Sequence, residues 1–566
     1  MWLNFFLELS KVYKKRLIFL FLIMIFSIIF DVLSIGSIFP LISFIVTDNY
    51  KYLKFFDVPN NEFFKSDETS IYLLAITIIF ILFLTKNLFL LLFTKINSNF
   101  IAYLTIYYQE KILSKILNKN YKFFIEKNSA FFLREFNNEI KVITTGFIQP
   151  ILDISLNVLT LMGFIILLSF IDLNMTITSI TLGFVFFLIF TLSLKKKFIF
   201  FGNQRRIQNL KIINYIKQLF EGIRELKIYN KENAFLLDLK KSWNRLANQS
   251  VKKNILTILP KLTFEILLVF SILIFFYYVE NPKTLIPKLS IFVLIMLRII
   301  PNVNSLIKSL QKINYSEVAL NNLINYFIKD KKKSLKIINF KKKIELKNIN
   351  FSYDEKKNIF KNLNIKISKN SCIGIKGLNG SGKSTFVDLI SGLLKPNSGE
   401  IFIDEKKYED LENTNWLSKF GYVQQKLFFF EESLKFNITL EKNIKKIDNT
   451  KLNRIIKQIK LDEFIEQRGL NLDDILSESA FNISGGQAQR IGIARALYNS
   501  DGLLIFDEAF NSLDDDNINI LAEIINELKI NHTIFIISHI NNPLRICDEI
   551  YILNNKEIKK INDFNL

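Results

Sequence analysis

Six long apolar stretches before residue 310 set the first limit on what this 566-residue chain can fold into. They cover residues 17–47, 71–94, 142–171, 173–194, 254–279 and 289–307. Each supplies about the ~20 residues that a helix needs to cross ~30 Å of hydrocarbon. One such stretch would suit a buried helix of a soluble protein; six of this length predict membrane spans. The first is too long for a signal peptide, and no small-residue cleavage pattern follows it.

Charge between the stretches is unevenly spread. The chain carries 74 Lys and Arg against 53 Asp and Glu, a formal charge of +21. Residues 195–253 hold 15 basic residues against four acids, and residues 102–141 hold seven against four. Residues 48–68 reverse the balance, with three against five. Lys and Arg collect on the cytoplasmic side, so both basic loops and both termini are expected inside. This sidedness accounts for much of the +21 without nucleic acid, and it argues against a soluble, basic nucleic-acid-binding ATPase. Both basic loops read as helices over 121–140 and 218–239, where apolar and charged residues mix at near-helical spacing.

Ionisable residues within the spans are costly in lipid and so carry information. Asp31, Lys86, Asp153, Lys261, Glu265 and Arg298 interrupt otherwise apolar runs. Lys261 and Glu265 are four apart, share a helix face and are able to pair. Lys86 and Arg298 have no partner nearby in the sequence. With Lys261 they are the candidate contacts for an anionic group on a substrate.

From about residue 344 the pattern changes to short β-branched strands, turns and amphipathic helices. Twelve of the 18 glycines lie at or after Gly374. The organisation is therefore residues 1–330 as a transmembrane domain, 331–343 as a Lys-rich linker and 344–566 as an α/β domain. Two Cys (Cys372, Cys547) and two His (His532, His539) argue against a disulfide scaffold, a cysteine-ligated metal site and a multi-histidine metal site. The strand SCIGIK (371–376) leads into Gly377-Leu378-Asn379-Gly380-Ser381-Gly382-Lys383-Ser384, followed by Thr385 and a helical run. This is the strand–GxxxxGK[ST]–helix order of a P-loop. Its backbone N–H groups face phosphate oxygens, Lys383 adds a cation at the β/γ-phosphates, and the Ser384 hydroxyl ligates Mg²⁺. The apolar strand LLIF (503–506) ends in Asp507 and Glu508. Asp507 suits the Mg²⁺ shell, and Glu508 suits the general base that polarises water. A third apolar strand, TIFIIS (533–538), delivers His539 to the same sheet edge as a γ-phosphate contact.

Between these lies Ile483-Ser484-Gly485-Gly486-Gln487, similar to the LSGGQ signature of ATP-binding-cassette (ABC) transporters. With its spans, loops and cassette in this order, the chain resembles an ABC exporter half-transporter: a six-helix, all-α membrane domain followed by an α/β P-loop cassette. The resemblance implies ATP and Mg²⁺ as cofactors and ATP hydrolysis coupled to transport. It implies a head-to-tail dimer, simplest as a homodimer, in which Ser484, Gly485, Gly486 and Gln487 of one copy cap the ATP on the other's P-loop. Tyr353 resembles the aromatic that stacks on adenine, and Gln425 the glutamine that senses Mg²⁺. Glu478 resembles the acid that touches the coupling loops, and Asp514 the aspartate that reaches across the dimer. Ile483, Gln424, Ser477, Ala480, Phe510-Asn511-Ser512 and Ile540 depart from the usual pattern, but no catalytic group is lost. Intact Lys383 and Glu508 argue against a catalytically dead regulatory subunit.

Within the family the chain looks closest to bacterial flippases of lipid-linked oligosaccharides. SIFPLISF, Lys86, LPKLTFE and LRIIPNVNSL carry that likeness. It implies an amphiphilic substrate with an anionic head, membrane lipids as surroundings, no nucleic acid, and an inner-membrane, multi-pass location with the ATPase domain cytoplasmic. A lipid, glycolipid or drug exporter is the alternative. No peptidase-like segment precedes the first span, which argues against a peptide-processing exporter.

Overall fold

The computed structural model describes residues 13–38, 40–42, 68–277, 282–323, 336–354, 358–409, 411, 414–467, 469, 471–476, 484–510, 513, 515–554 and 556–561. The chain divides into two compact units, residues 1–119 with 127–330, and residues 120–126 with 331–566.

Unit 1 is helical because its apolar runs must satisfy every backbone N–H and C=O internally. Its long helices are α1 (Lys14–Gly36), α2 (Glu68–Leu117), α3 (Gln149–Ile171), α4 (Leu173–Glu221), α5 (Glu232–Tyr277) and α6 (Pro282–Leu323). Among the described residues, six helical segments are long and apolar enough to cross a membrane. The first of these reaches Ile42, and the expected extension to residue 47 lies outside the described residues. Polar side chains within the runs bond back to their own helix: Thr85 to Ile81 O at 3.0 Å, Thr94 to Leu90 O at 2.8 Å and Thr191 to Phe187 O at 2.8 Å. Such bonds let threonine sit in a membrane helix without an unsatisfied hydroxyl. Apolar side chains such as Leu91, Phe170 and Leu192 point outward, as a lipid-facing surface requires.

With 50 residues, α2 is roughly 75 Å long at 1.5 Å per residue, more than twice a hydrocarbon core. The helices therefore run well past their apolar parts, as the loop composition predicts. The two loop helices are not continuous, however. Segment 121–140 breaks into Tyr121–Glu126, Ser129–Arg134 and a π turn, Glu135–Glu139. Asn128 makes the break by capping the second piece, accepting from Phe131 N at 3.0 Å. Segment 218–239 breaks at Gly222 and again at Asn230, whose left-handed backbone (φ 51°) ends the helix Ile223–Tyr229.

In the cassette unit a six-stranded sheet carries the chemistry. Its strands are β3 (Cys372–Gly377), β6 (Phe420–Val423), β7 (Leu503–Asp507), β8 (Thr533–Ser538), β9 (Glu549–Asn554) and β10 (Glu557–Ile561), ordered β10-β9-β3-β8-β7-β6. All neighbours pair parallel except β10 with β9. A second, antiparallel sheet holds β1 (Lys343–Ser352), β2 (Asn358–Ser368), β4 (Ser398–Ile403) and β5 (Lys406–Tyr408), ordered β2-β1-β4-β5. Side chains alternate across the parallel sheet, so Leu504, Phe506, Ile534 and Ile536 enter one core while Leu503, Ile505, Phe535 and Ile537 enter another. Burial on both faces explains why β7 and β8 read as unbroken apolar runs. Parallel pairing also brings the carboxyl ends of β3, β6, β7 and β8 to one edge, where ligands of open α/β sheets bind.

Candidate functional site

The strand ends converge on one cavity of about 530 Å³, lined among others by Asn379, Gly380, Gly382, Lys383, Ser384, Thr385, Gln425, Asp507 and Glu508. β3 delivers Gly377 and Leu378 into the loop, and helix α7 (Lys383–Ile390) begins directly after it. Gly382 sits at φ 102°, and a Cβ there would press on Ile359 at 2.8 Å, so glycine is required. Lys383 is buried; its Nζ donates to Gly377 O at 2.9 Å and Leu378 O at 3.2 Å and lies 3.3 Å from Glu508 Oε1. The loop carbonyls thus fix the ammonium at the loop mouth, ready for phosphoryl oxygens.

Glu508 is reached by a left-handed residue: its φ is 51°, and its N–H donates to Ile537 O at 2.9 Å. A non-glycine residue in this region stores backbone strain, which accumulates at functional sites. The turn aims the carboxylate across the sheet edge at Lys383 and places it 3.9 Å from His539 Nδ1. Lys383, Ser384, Gln425, Asp507 and Glu508 therefore line a single cavity, with His539 at its rim through Glu508. In the same loop Ser381 Oγ is buried without a hydrogen-bond partner among the described residues. The donor set fits a nucleotide. Ser384, Gln425 and Asp507 supply the oxygens that would hold Mg²⁺, whose charge would be shared with the phosphates.

Two residues at this edge had no motif to announce them. Tyr422 on β6 donates its hydroxyl to Asp507 Oδ2 at 2.6 Å. Burial and the charge of Asp507 push the Tyr422 phenol up, so the proton stays on the tyrosine. Burial also pushes Asp507 up, partly offset by that hydrogen bond. Asp388, on α7, is raised to about 6 by burial and by the charge of Asp507. Strand pairing places Tyr422 opposite Ile505, two residues before Asp507, so only the three-dimensional register shows the contact.

Other expected site residues stand apart from the cavity. The Tyr353 hydroxyl is 3.1 Å from Thr385 Oγ1 and its ring packs edge-on against Phe351, so its hydroxyl faces the P-loop helix. Ser484 caps helix α8 (Gly485–Asn499) by accepting from Gln487 N at 3.3 Å, while Gln487 Oε1 accepts from Ser484 N at 3.0 Å. This capping box leaves the N-terminus of a 15-residue helix ordered as a positive pole. None of Ser484, Gly485, Gly486 and Gln487 lines the P-loop cavity of the same chain. Glu478, Ile483 and Asp514 lie outside the described residues.

Residues 360–511 match the family model described as ABC transporter. This segment thus carries the sequence pattern of an ABC transporter cassette. Such a cassette uses ATP with Mg²⁺ and hydrolyses it. Over 355 residues the chain is 28% identical to a lactococcin-G-processing and transport ATP-binding protein of Lactococcus lactis subsp. lactis, covering 60% of this chain and 49% of that protein. Over 479 residues it is 25% identical to a putative multidrug export ATP-binding/permease protein of Bacillus subtilis (strain 168), covering 80% and 79%. The chain thus spans about half the length of the first relative. Its fold matches the structure of a bacterial Atm1-family ABC exporter with ATP bound, with a TM-score of 0.82, 17% identity and coverage of 97% and 95%. The fold is that of an ABC exporter, six apolar helices followed by an ABC cassette.

The tentative substrate residues divide. Lys86 and Arg298 line one cavity of about 520 Å³ in unit 1, together with Ser27, Asp31, Thr160 and Asn302. Lys86, which has no partner nearby in the sequence, forms an ion pair with Asp31 on the neighbouring helix α1. Their 55-residue separation hides this pairing from any local reading. Lys261 does not join them. It is half exposed and lies 3.6 Å from Glu265 on its own helix face.

Proposed function

We propose that the chain is one half of a homodimeric, ATP-driven exporter of the inner membrane that flips an amphiphile with an anionic head, foremost a lipid-linked oligosaccharide. The observation that carries this reading is the Lys86–Arg298 cavity. An ion pair plus an additional guanidinium within apolar helices costs free energy unless it serves a polar cargo. Arg298 has five donors in a rigid fork suited to phosphate, and Lys86 shares its charge with Asp31. A second cavity of about 340 Å³, lined by Phe184, Phe187, Phe264 and Phe292, would receive the lipid tail. Because its lining is apolar apart from Ser179 and Ser271, it also favours a second reading, an uncharged drug or simple lipid as cargo.

In the cassette, Glu508 would polarise the attacking water, and Lys383 with His539 would stabilise charge on the transferred phosphoryl group. The signature helix stands away from its own P-loop, so a second copy would supply Ser484 and its helix pole to close each ATP site. ATP binding would then draw the two cassettes together, and hydrolysis would release them. Both basic loops, the cassettes and the termini would lie on the cytoplasmic side. The test is ATPase stimulation in proteoliposomes by lipid-diphosphate sugars, simple lipids and drugs in parallel. Selective stimulation by the lipid-diphosphate sugars is expected. Stimulation by drugs alone would replace this cargo with the second reading.

A further inference from the structure

A separate cavity of about 340 Å³ lies among α4, α5 and α6, bordered by Phe201, Arg205, Gln249, Ser250, Lys253 and Tyr315. We propose that it is a binding site for a phosphoryl oxyanion of the diphosphate class, distinct from the Lys86–Arg298 cavity.

Two observations converge. Arg205 donates through Nη2 to Glu139 Oε2 at 2.9 Å, yet its Nε and Nη1 are buried and have no partner among the described residues. Buried donors of this kind ordinarily find an acceptor. Lys253 Nζ lies 4.8 Å from the Tyr315 ring and the Arg205 guanidinium 5.1 Å from it, so two cations share one aromatic ring. The ring quadrupole attracts each of them, but their mutual repulsion calls for an anion. Gln249 lies on the same cavity wall, with a buried Oε1 that accepts and does not donate.

The adjoining ion network does not neutralise this charge. Arg134 pairs with Glu135, Arg206 with Glu135 at 3.2 Å and Arg205 with Glu139. Including Lys253, four cations face two carboxylates. A π turn, Glu135–Glu139, presents both carboxylates to α4; such turns are rare and gather at functional sites. The volume equals on the order of ten waters, enough for a diphosphate with residual solvent. Its position suits a charged ligand as well. Arg205 is eleven residues past the apolar run ending at 194, roughly 16 Å along the helix, while Lys253 borders the next run. The cavity therefore spans the level where an amphiphile's head would leave water.

The diphosphate is either free or carried by a lipid; only the second source rests on the proposed function. The test needs no transport, so it stands if the export reading fails. In the detergent-purified full chain, with the P-loop saturated by a non-hydrolysable ATP analogue, acetylation of Lys253 is followed by mass spectrometry. Inorganic pyrophosphate and geranyl diphosphate are titrated separately, and thermal unfolding of the same samples gives a second readout. Protection of Lys253 by at least about tenfold, with a rise in the unfolding midpoint, is expected. Protection by geranyl diphosphate alone assigns the site to a lipid-borne head; protection by both assigns it to the oxyanion itself. Gln249→Glu places a carboxylate in the cavity at nearly constant volume and leaves the Arg205–Glu139 pair intact. It should abolish both responses, as should Arg205→Gln. Unchanged Lys253 reactivity and midpoint with either compound, or equal responses in Gln249→Glu, overturn the proposal.

Discussion

At the scale of single residues, the ATP site is the best-defined chemistry in the chain. Lys383 is held by two loop carbonyls and faces Glu508 at 3.3 Å, so its charge is positioned before any phosphate arrives. Lys383→Ala removes charge-assisted bonds worth about 1.5–3 kcal/mol each. ATP affinity, measured by equilibrium binding, should fall by roughly ten- to a hundredfold; unchanged affinity would remove Lys383 from the site. Tyr422 offers a second test. Its bond to Asp507 Oδ2 competes with a metal for the same oxygen. Tyr422→Phe should therefore lower the Mg²⁺ concentration for half-maximal ATPase, by up to about tenfold for one bond to a charged group. A higher Mg²⁺ requirement would show that the tyrosine organises the carboxylate instead. The contrast between Lys383 and Tyr422 shows what is legible locally. Lys383 belongs to a loop whose glycines, lysine and serine are neighbours in the chain. Tyr422 acts on a residue 85 positions away, and only the parallel pairing of β6 with β7 brings them together.

At the scale of elements, apolar run length anticipated the six long helices, because lipid leaves the backbone few alternatives. Their interruptions were less visible. Gly222 and Asn230 break a segment whose apolar spacing continues across both positions, and the capping Asn128 does the same between two Phe-rich turns. Pairing between helices was hidden too, since Lys86 meets Asp31 through packing and not through spacing. Close helix approach has a further marker. At Gly202 on α4, a Cβ would overlap the carbonyl of Tyr315 on α6. Gly202→Ala should push the two helices apart and lower stability by about 1–3 kcal/mol, the cost of overpacking. Gly183, on the same helix, has nothing within 4 Å of its Cβ direction and serves as the control. Thermal unfolding in detergent should show a loss for Gly202→Ala alone; equal midpoints would mean that the α4–α6 approach yields freely.

At the scale of the whole molecule, the cassette carries both a P-loop cavity and a capped signature helix that does not enter it. A single chain thus carries the P-loop, Glu508 and the signature helix without bringing that helix to its own cavity, an arrangement that a second copy would complete. The membrane unit brings Lys86, buried and paired with Asp31, and the exposed Arg298 to one cavity within its apolar helices. The central claim is that these two facts belong to one cycle, in which ATP hydrolysis drives an anionic amphiphile across the bilayer. The most direct measurement is flipping of a lipid-linked diphosphate oligosaccharide in proteoliposomes, alongside substrate-stimulated ATPase, for the unaltered chain, Glu508→Gln and Arg298→Leu. The account predicts ATP-dependent flipping by the unaltered chain, loss of turnover in Glu508→Gln, and at least a tenfold higher substrate concentration for half-maximal stimulation in Arg298→Leu. Flipping without ATP, or an Arg298→Leu half-maximum equal to that of the unaltered chain, would contradict it.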